Sequence, residues 1–208
     1  MDRQYHVLAF HGLGESAGFR RPIQPQPARV TLESPALDVM TDLVRASPAT
    51  IRPQAPIEGA KQFMISRGVR LLVVVDDHEA VLGVITATDV RGEKAVRSAA
   101  DRGMKRDELT VGDIMTPAAL VEVISIEEIK GARVGHVFET LRQAGRQHAL
   151  VVDFEVIPAT GLIDAPVTRS MVRGILSLSQ LGRQLGVALQ TSGEVARTFS
   201  EIEAALGR

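Results

Sequence analysis

The chain has 208 residues, 45% apolar and 24% charged, with a formal net charge of -1, a globular composition with room for one ordinary domain or two small ones. Acids and bases are mixed along it, aromatics make up 3% and cysteine is absent, which argues against a nucleic-acid partner and excludes disulfides, thiolate metal sites and a cysteine nucleophile. No apolar run approaches the roughly 20 residues that span a bilayer, and no long apolar h-region opens the chain, so the expectation is a cytoplasmic protein with no membrane partner.

Residues 1–36 read as a tail. "YHVLAF" has strand character, and the following "GLGESAG" places Gly14, Ser16 and Gly18 in the G-x-S-x-G spacing of a nucleophile elbow. Such an elbow must run at once into a helix packed on a sheet. Here "FRRPIQPQP" follows, with Pro22, Pro25 and Pro27 within six residues, so no helix forms and an extended linker is expected. A serine hydrolase is set aside, and no catalytic residue is expected.

Two copies of one pattern come next, over residues 37–100 and 108–187. "PIEGAKQFMISRGVRLLVVVDD" aligns without gaps with "RVGHVFETLRQAGRQHALVVDF". Ile57, Ala60 and Met64 match Val134, Val137 and Leu141, and Gly68 matches Gly145, each pair 77 positions apart. The apolar spacing is that of a helix and the glycine is placed to end it. A short apolar run follows in each copy, closed by Asp76 or Asp153, and reads as a buried strand with a turn signal. A second strand is marked by "LGVITATDV" and "RGILSLSQL", where Gly83 matches Gly174 and Thr86 matches Ser177 at an offset of 91. The second copy therefore carries 14 extra residues, within about 154–172, whose Pro158, Gly161 and Pro166 predict a loop or irregular hairpin. A third echo, "DVMTDL" from Asp38 and "DIMTPA" from Asp113, leads into each copy. Two copies are too few for a solenoid, so they are expected to pack on each other as one pseudo-symmetric α/β module.

Residues 192–208 close the chain with Val195, Phe199, Ile202 and Leu206 at spacings of four, three and four. That is an amphipathic helix, either docked on its own core or lent to a dimer contact.

In the order and spacing of "DVMT" and "DIMT", the helix–"VVVD" and helix–"LVVD" pairs, and "GVITATDV" and "GILSLSQL", the sequence resembles the CBS-domain pair, or Bateman module, from about Asp38 to Gly186. The resemblance implies two repeats of β-α-β-β-α type forming one module, a homodimer of such modules, and a regulatory rather than enzymatic role. It also implies an adenosine-containing ligand: AMP, ADP, ATP or S-adenosylmethionine. No further cofactor is expected, and nothing in the sequence calls for magnesium.

The family signature at the end of the second strand is filled by Gly83, Thr86 and Asp89. A threonine hydroxyl can donate to phosphate and a carboxylate can accept from both ribose hydroxyls, so Thr86, Thr88 and Asp89 are the expected ribose and phosphate residues. The alternative is that Thr88 or Asp89 simply caps a helix. The resemblance places the base near Thr50, Ile51, Val69 and Arg70, in the same first-repeat site. In the second copy Ser177 keeps the hydroxyl, but Gln180 stands where the aspartate is expected, with Arg146, Gln147 and His148 on the base side. That second site is expected to be the weaker one.

His6, His11, His78, His136 and His148 show no paired ligand spacing, and "DDHE" at 76–79 reads as a solvated hairpin turn, so no metal site is expected. The functional expectation is a nucleotide sensor that transmits occupancy through its dimer to an unidentified regulated protein. The alternative is a dimerisation or partner-docking scaffold that binds no ligand.

Overall fold

The computed structural model describes residues 9–10, 28–157, 167–187 and 195–207. The Gly14–Ser16–Gly18 spacing, the proline-rich stretch at 22–27, His6 and His11, and Pro158, Gly161 and Pro166 lie outside the described residues.

The matching helices form where the apolar spacing predicts them. Helix α1 is Ile57–Arg67; it buries Ile57, Ala60 and Met64 and ends on Gly68 at φ 64°. Its counterpart in the second copy buries Val134, Val137, Phe138 and Leu141, and Gly145 follows it at φ 61°. Both glycines sit in the left-handed region that a side chain disfavours, so the two helices stop at equivalent points.

The remaining elements of the first copy are strands β1 (Met40–Asp42), β2 (Thr50–Ile51), β3 (Leu71–Val75) and β4 (Val81–Thr86), with helices α2 (Ala87–Arg91) and α3 (Glu93–Arg102). The second copy holds α4 (Val111–Ile114), β5 (Thr116–Pro117), β6 (Val123–Ser125), α5 (Ile126–Gly131), α6 (Val134–Gln143), β7 (His148–Ile157), β8 (Val167–Ser177) and α7 (Leu178–Gln184). Helix α8 (Val195–Ala205) follows.

Two four-stranded sheets result, ordered β2-β3-β4-β5 and β6-β7-β8-β1. Each sheet borrows its last strand from the other copy. The strand after "DVM" adds antiparallel to β8, pairing Met40 with Leu176, and the strand after "DIM" adds to β4, pairing Thr116 with Val84. The loan demands close approach. A Cβ on Gly83 would lie 2.2 Å from the Thr116 carbonyl oxygen, and one on its counterpart Gly174 would lie 2.4 Å from Met40 Sδ. Across the second joint Arg173 pairs with Asp42 through both guanidinium NH groups.

Strand alternation sorts the core into three layers. Leu72 and Val74 face the first-copy core with Ile57, Met64, Ile85 and Val90. Their neighbours Leu71, Val73 and Val75 turn the other way and meet Val84 and Leu150. All five residues of β3 are therefore buried, as its unbroken apolar run requires. The second-copy core is built from Val39, Met40, Phe138, Leu141, Val151, Leu176 and Leu181, and it takes Phe199 and Ile202 from α8. Phe138 and Phe199 meet edge to face with centroids 5.6 Å apart. The last helix is thus docked on its own chain's core.

The turn signals behave differently in the two copies. Asp76 closes its strand: its carboxylate accepts from the backbone N–H of His78 and Ala80 at 2.9 and 2.8 Å, while Glu79 takes φ 61°. That Asx geometry accounts for "DDHE" as a hairpin turn. Asp153 does not close its strand. There β7 and β8 stay paired through Asp153↔Met171 as far as Ile157↔Val167, so the insertion prolongs a regular hairpin rather than forming a loop at once.

Candidate functional site

Two clefts open between the copies, and the strand-to-helix junctions decide what each receives. Thr86 ends β4 and Ala87 begins α2, with the Ala87 N–H donating to the Arg70 carbonyl at 2.9 Å. Consecutive side chains at a strand end point to opposite sides, and Thr86 lines one cleft while Ala87 lines the other. The second copy repeats this, with the Leu178 N–H donating to the Gln147 carbonyl at 2.9 Å. Each cleft therefore combines the base-side residues of one copy with the hydroxyl-bearing junction of the other.

The larger cleft, about 590 Å³, takes Val69 and Arg70 from the first copy and Ser177, Ser179 and Gln180 from the second. Met64, Ile65, Ala49, Val90 and Ile175 supply apolar wall. Gln180 is held in place, its Oε1 accepting from Thr41 Oγ1 at 2.9 Å, and the Ser177 and Ser179 hydroxyls lie 3.0 Å apart. Lys61, Arg70, Arg91 and Arg183 also line it.

The smaller cleft, about 300 Å³, combines Thr86, Thr88 and Asp89 with Arg146, Gln147 and His148, together with Thr116 and Glu122. Arg146 is paired with Glu122 at 2.5 Å. Asp89 is engaged as well. One carboxylate oxygen accepts from the Thr86 N–H at 2.8 Å and from Thr86 Oγ1 at 2.6 Å, and the other accepts from Lys94 Nζ at 3.0 Å. Thr86 itself is the N-cap, its hydroxyl accepting from the Asp89 N–H at 3.2 Å. The capping role expected for Thr88 or Asp89 is therefore filled by Thr86, with Asp89 closing the box. Helix α2 is five residues long, too short for its dipole to be the main attraction for an anion.

The expected first-repeat site is divided by this geometry. Val69 and Arg70 face the larger cleft, whereas Thr86, Thr88 and Asp89 face the smaller one. Ser177 and Gln180, expected beside Arg146 and Gln147, stand instead with Val69 and Arg70. Thr50 and Ile51 line neither cleft, because β2 pairs them with Val73 and Val74; Pro48 and Ala49 just before them do line the larger one. The sequence reading also passed over Thr41 and Thr116, which line the larger and smaller clefts respectively. A signal for them existed: each is the threonine of a "D-x-M-T" lead-in.

His148 lines both clefts. Burial, and then the charge of Arg70, push its pKa down to about 4, so at neutral pH its ring is uncharged. Among the described residues no cluster of three or more histidines and carboxylates could hold a metal ion, and no helix is long and apolar enough to cross a membrane.

Comparison with known proteins agrees with this architecture. Residues 36–95 match the family model of the CBS domain. No curated protein matches the chain. Among solved structures, the chain is similar to an uncharacterized conserved protein from Pyrococcus horikoshii, 20% identical, with a TM-score of 0.51 and coverage of 78% of this chain and 100% of that one. It also aligns with a CBS-domain containing protein from Agrobacterium tumefaciens (18% identity, TM-score 0.49, 74% and 94% coverage). A third match is CBSX2 in complex with AMP (19% identity, TM-score 0.46, 72% and 94% coverage). Residues 36–95 match the CBS domain, and the described chain, in which a second copy of the same pattern packs against that segment, shares its fold with the Pyrococcus horikoshii protein.

Proposed function

We propose that the protein is a regulatory module that binds an adenosine nucleotide in the larger cleft. The observation that carries this reading is the composition of that cleft: about 590 Å³ of space with an apolar wall for a base, main chain at 69–70, and a convergent set of hydroxyl and amide groups at Thr41, Ser177, Ser179 and Gln180. Volumes of a few hundred Å³ with mostly apolar lining and few polar groups are those of small-molecule sites. The adenosine identity rests on the resemblance to CBS-domain pairs. Gln180 serves the ribose hydroxyls as a neutral partner, and the hydroxyls of Ser177 and Ser179 serve the first phosphate.

Binding regulates only if it favours one arrangement of the molecule over another. Both clefts are built from both copies, so an occupant bridges them and biases how they pack. A homodimer and a regulated partner acting on that packing belong to the same proposal.

The scaffold alternative draws on one observation: Asp89, whose carboxylate the family signature offers to ribose, is committed to its own helix cap and to Lys94. Thermal unfolding with adenosine, AMP, ADP, ATP and S-adenosylmethionine separates the two. A ligand at a hundredfold excess over its Kd adds about 2.7 kcal/mol to folding; a scaffold shows no shift with any of the five.

A further inference from the structure

Asp89 and Gln180 hold equivalent places, 91 positions apart, each the third residue of the helix that follows its copy's second strand. Their side chains take different partners. Asp89 turns back on its own helix, where its carboxylate accepts from the Thr86 N–H at 2.8 Å and closes the capping box. In the second copy that box is missing: Ser177, at the N-cap of α7, makes no side-chain cap bond. Gln180 reaches instead to the borrowed strand β1, and its Oε1 accepts from Thr41 Oγ1 at 2.9 Å.

That contact decides which end of the amide the cleft receives. Oε1 is turned to Thr41, and Nε2 donates to no group among the described residues, so the N–H end is the one left for a ligand. Among the described residues no aspartate or glutamate lines this cleft. A sugar diol seated on Gln180 therefore meets amide N–H donors beside the hydroxyls of Ser177 and Ser179, and no carboxylate.

The difference bears on selectivity. A carboxylate accepts from two neighbouring hydroxyls at once, and deleting one of them leaves a charged oxygen without its partner. An amide N–H donating to a hydroxyl oxygen is a neutral contact. Where one hydroxyl is missing the other still accepts, and at a half-buried residue such as Gln180 water reaches the idle N–H. Discrimination is strong only where removing a ligand group strands a buried polar partner.

We infer that Gln180 makes the larger cleft indifferent to the 2′-hydroxyl of the sugar, so that it takes ribonucleotides and 2′-deoxyribonucleotides with nearly equal affinity. This rests on the reading that the cleft takes an adenosine nucleotide.

Calorimetric titration of the full chain, as wild type and as Gln180→Glu, tests this with three pairs: ATP and 2′-deoxy-ATP, AMP and 2′-deoxy-AMP, adenosine and 2′-deoxyadenosine. Wild type should bind the two members of each pair within about threefold of one another, the low end of what a neutral hydrogen bond is worth. Gln180→Glu keeps the length of the side chain and an oxygen for Thr41, and puts a carboxylate oxygen where Nε2 stood. The ribose member of each pair should then be preferred by at least about tenfold. The new charge repels phosphate alike in both members of a pair, and the adenosine pair carries no phosphate, so the ratio reports the sugar. A larger ribose preference in wild type, or a Gln180→Glu ratio no different from that of wild type, overturns the inference and leaves the nucleotide reading standing. Failure of all six compounds to bind wild type overturns the nucleotide reading and this inference with it.

Discussion

His148 holds in the second copy the place that Leu71 holds in the first: each begins its central strand, and each pairs across to the signature hydroxyl residue, Ser177 or Thr86. A leucine there is inert, but a histidine makes the wall between the clefts titratable. Its folded pKa of about 4 lies below the ordinary value of 6.5. Between those values the unfolded chain binds a proton that the folded chain refuses, so stability is complete above pH 6.5 and declines as pH falls toward 4. Arg70 faces the ring from the larger cleft, and Asp89, Glu122 and Arg146 line the smaller one with it. Urea unfolding of wild type and His148→Gln across pH 7 to 4 should give a stability difference that grows in favour of the variant as pH falls; parallel curves would show that the ring titrates normally in the fold.

The borrowed strands explain the paired glycines. Gly83 and Gly174 are 91 positions apart and equivalent, yet their neighbours differ in a way that decides the cost of a methyl group. At Gly83 the obstacle is the Thr116 carbonyl, fixed by the β4–β5 ladder, whereas at Gly174 it is the flexible side chain of Met40. Gly83→Ala should therefore cost about 3 kcal/mol and Gly174→Ala about 1 kcal/mol, the two ends of the overpacking range, measured as shifts in the urea midpoint. Equal costs would mean that β5 yields as readily as a methionine side chain. The elements themselves were legible because the helix period, the glycine stops and the apolar runs agree with one another in both copies. Strands β1 and β5 were not: three and two residues long, they carry no periodicity, and only the partner sheet makes them strands. The insertion was legible as a loop or irregular hairpin, and the described residues show the hairpin, with β7 paired to β8 as far as Ile157.

At the scale of the whole molecule, exchanging the lead-in strands and facing the two sheets ties the copies into one unit and places the expected ligand residues other than Thr50 and Ile51 in the clefts between them. The sequence named residues that line the two clefts but grouped them by repeat, because distance along the chain separates Arg70 from Ser177 and hides that the pseudo-symmetric packing brings them into one cleft. Arg91 and Arg183 escaped notice for the same reason: each is an ordinary helical arginine until the other copy is placed opposite. The central claim is that the nucleotide occupies the larger cleft, on Gln180, and not the smaller one on Asp89. Calorimetric titration of ATP into wild type, Gln180→Ala and Asp89→Ala tests it most directly. The account predicts that Gln180→Ala weakens binding about tenfold, whereas Asp89→Ala leaves affinity within about threefold of wild type and loses about 1 kcal/mol of stability with its cap. Loss of binding in Asp89→Ala with full affinity in Gln180→Ala would contradict it and return the site to the cleft of Thr86 and Asp89.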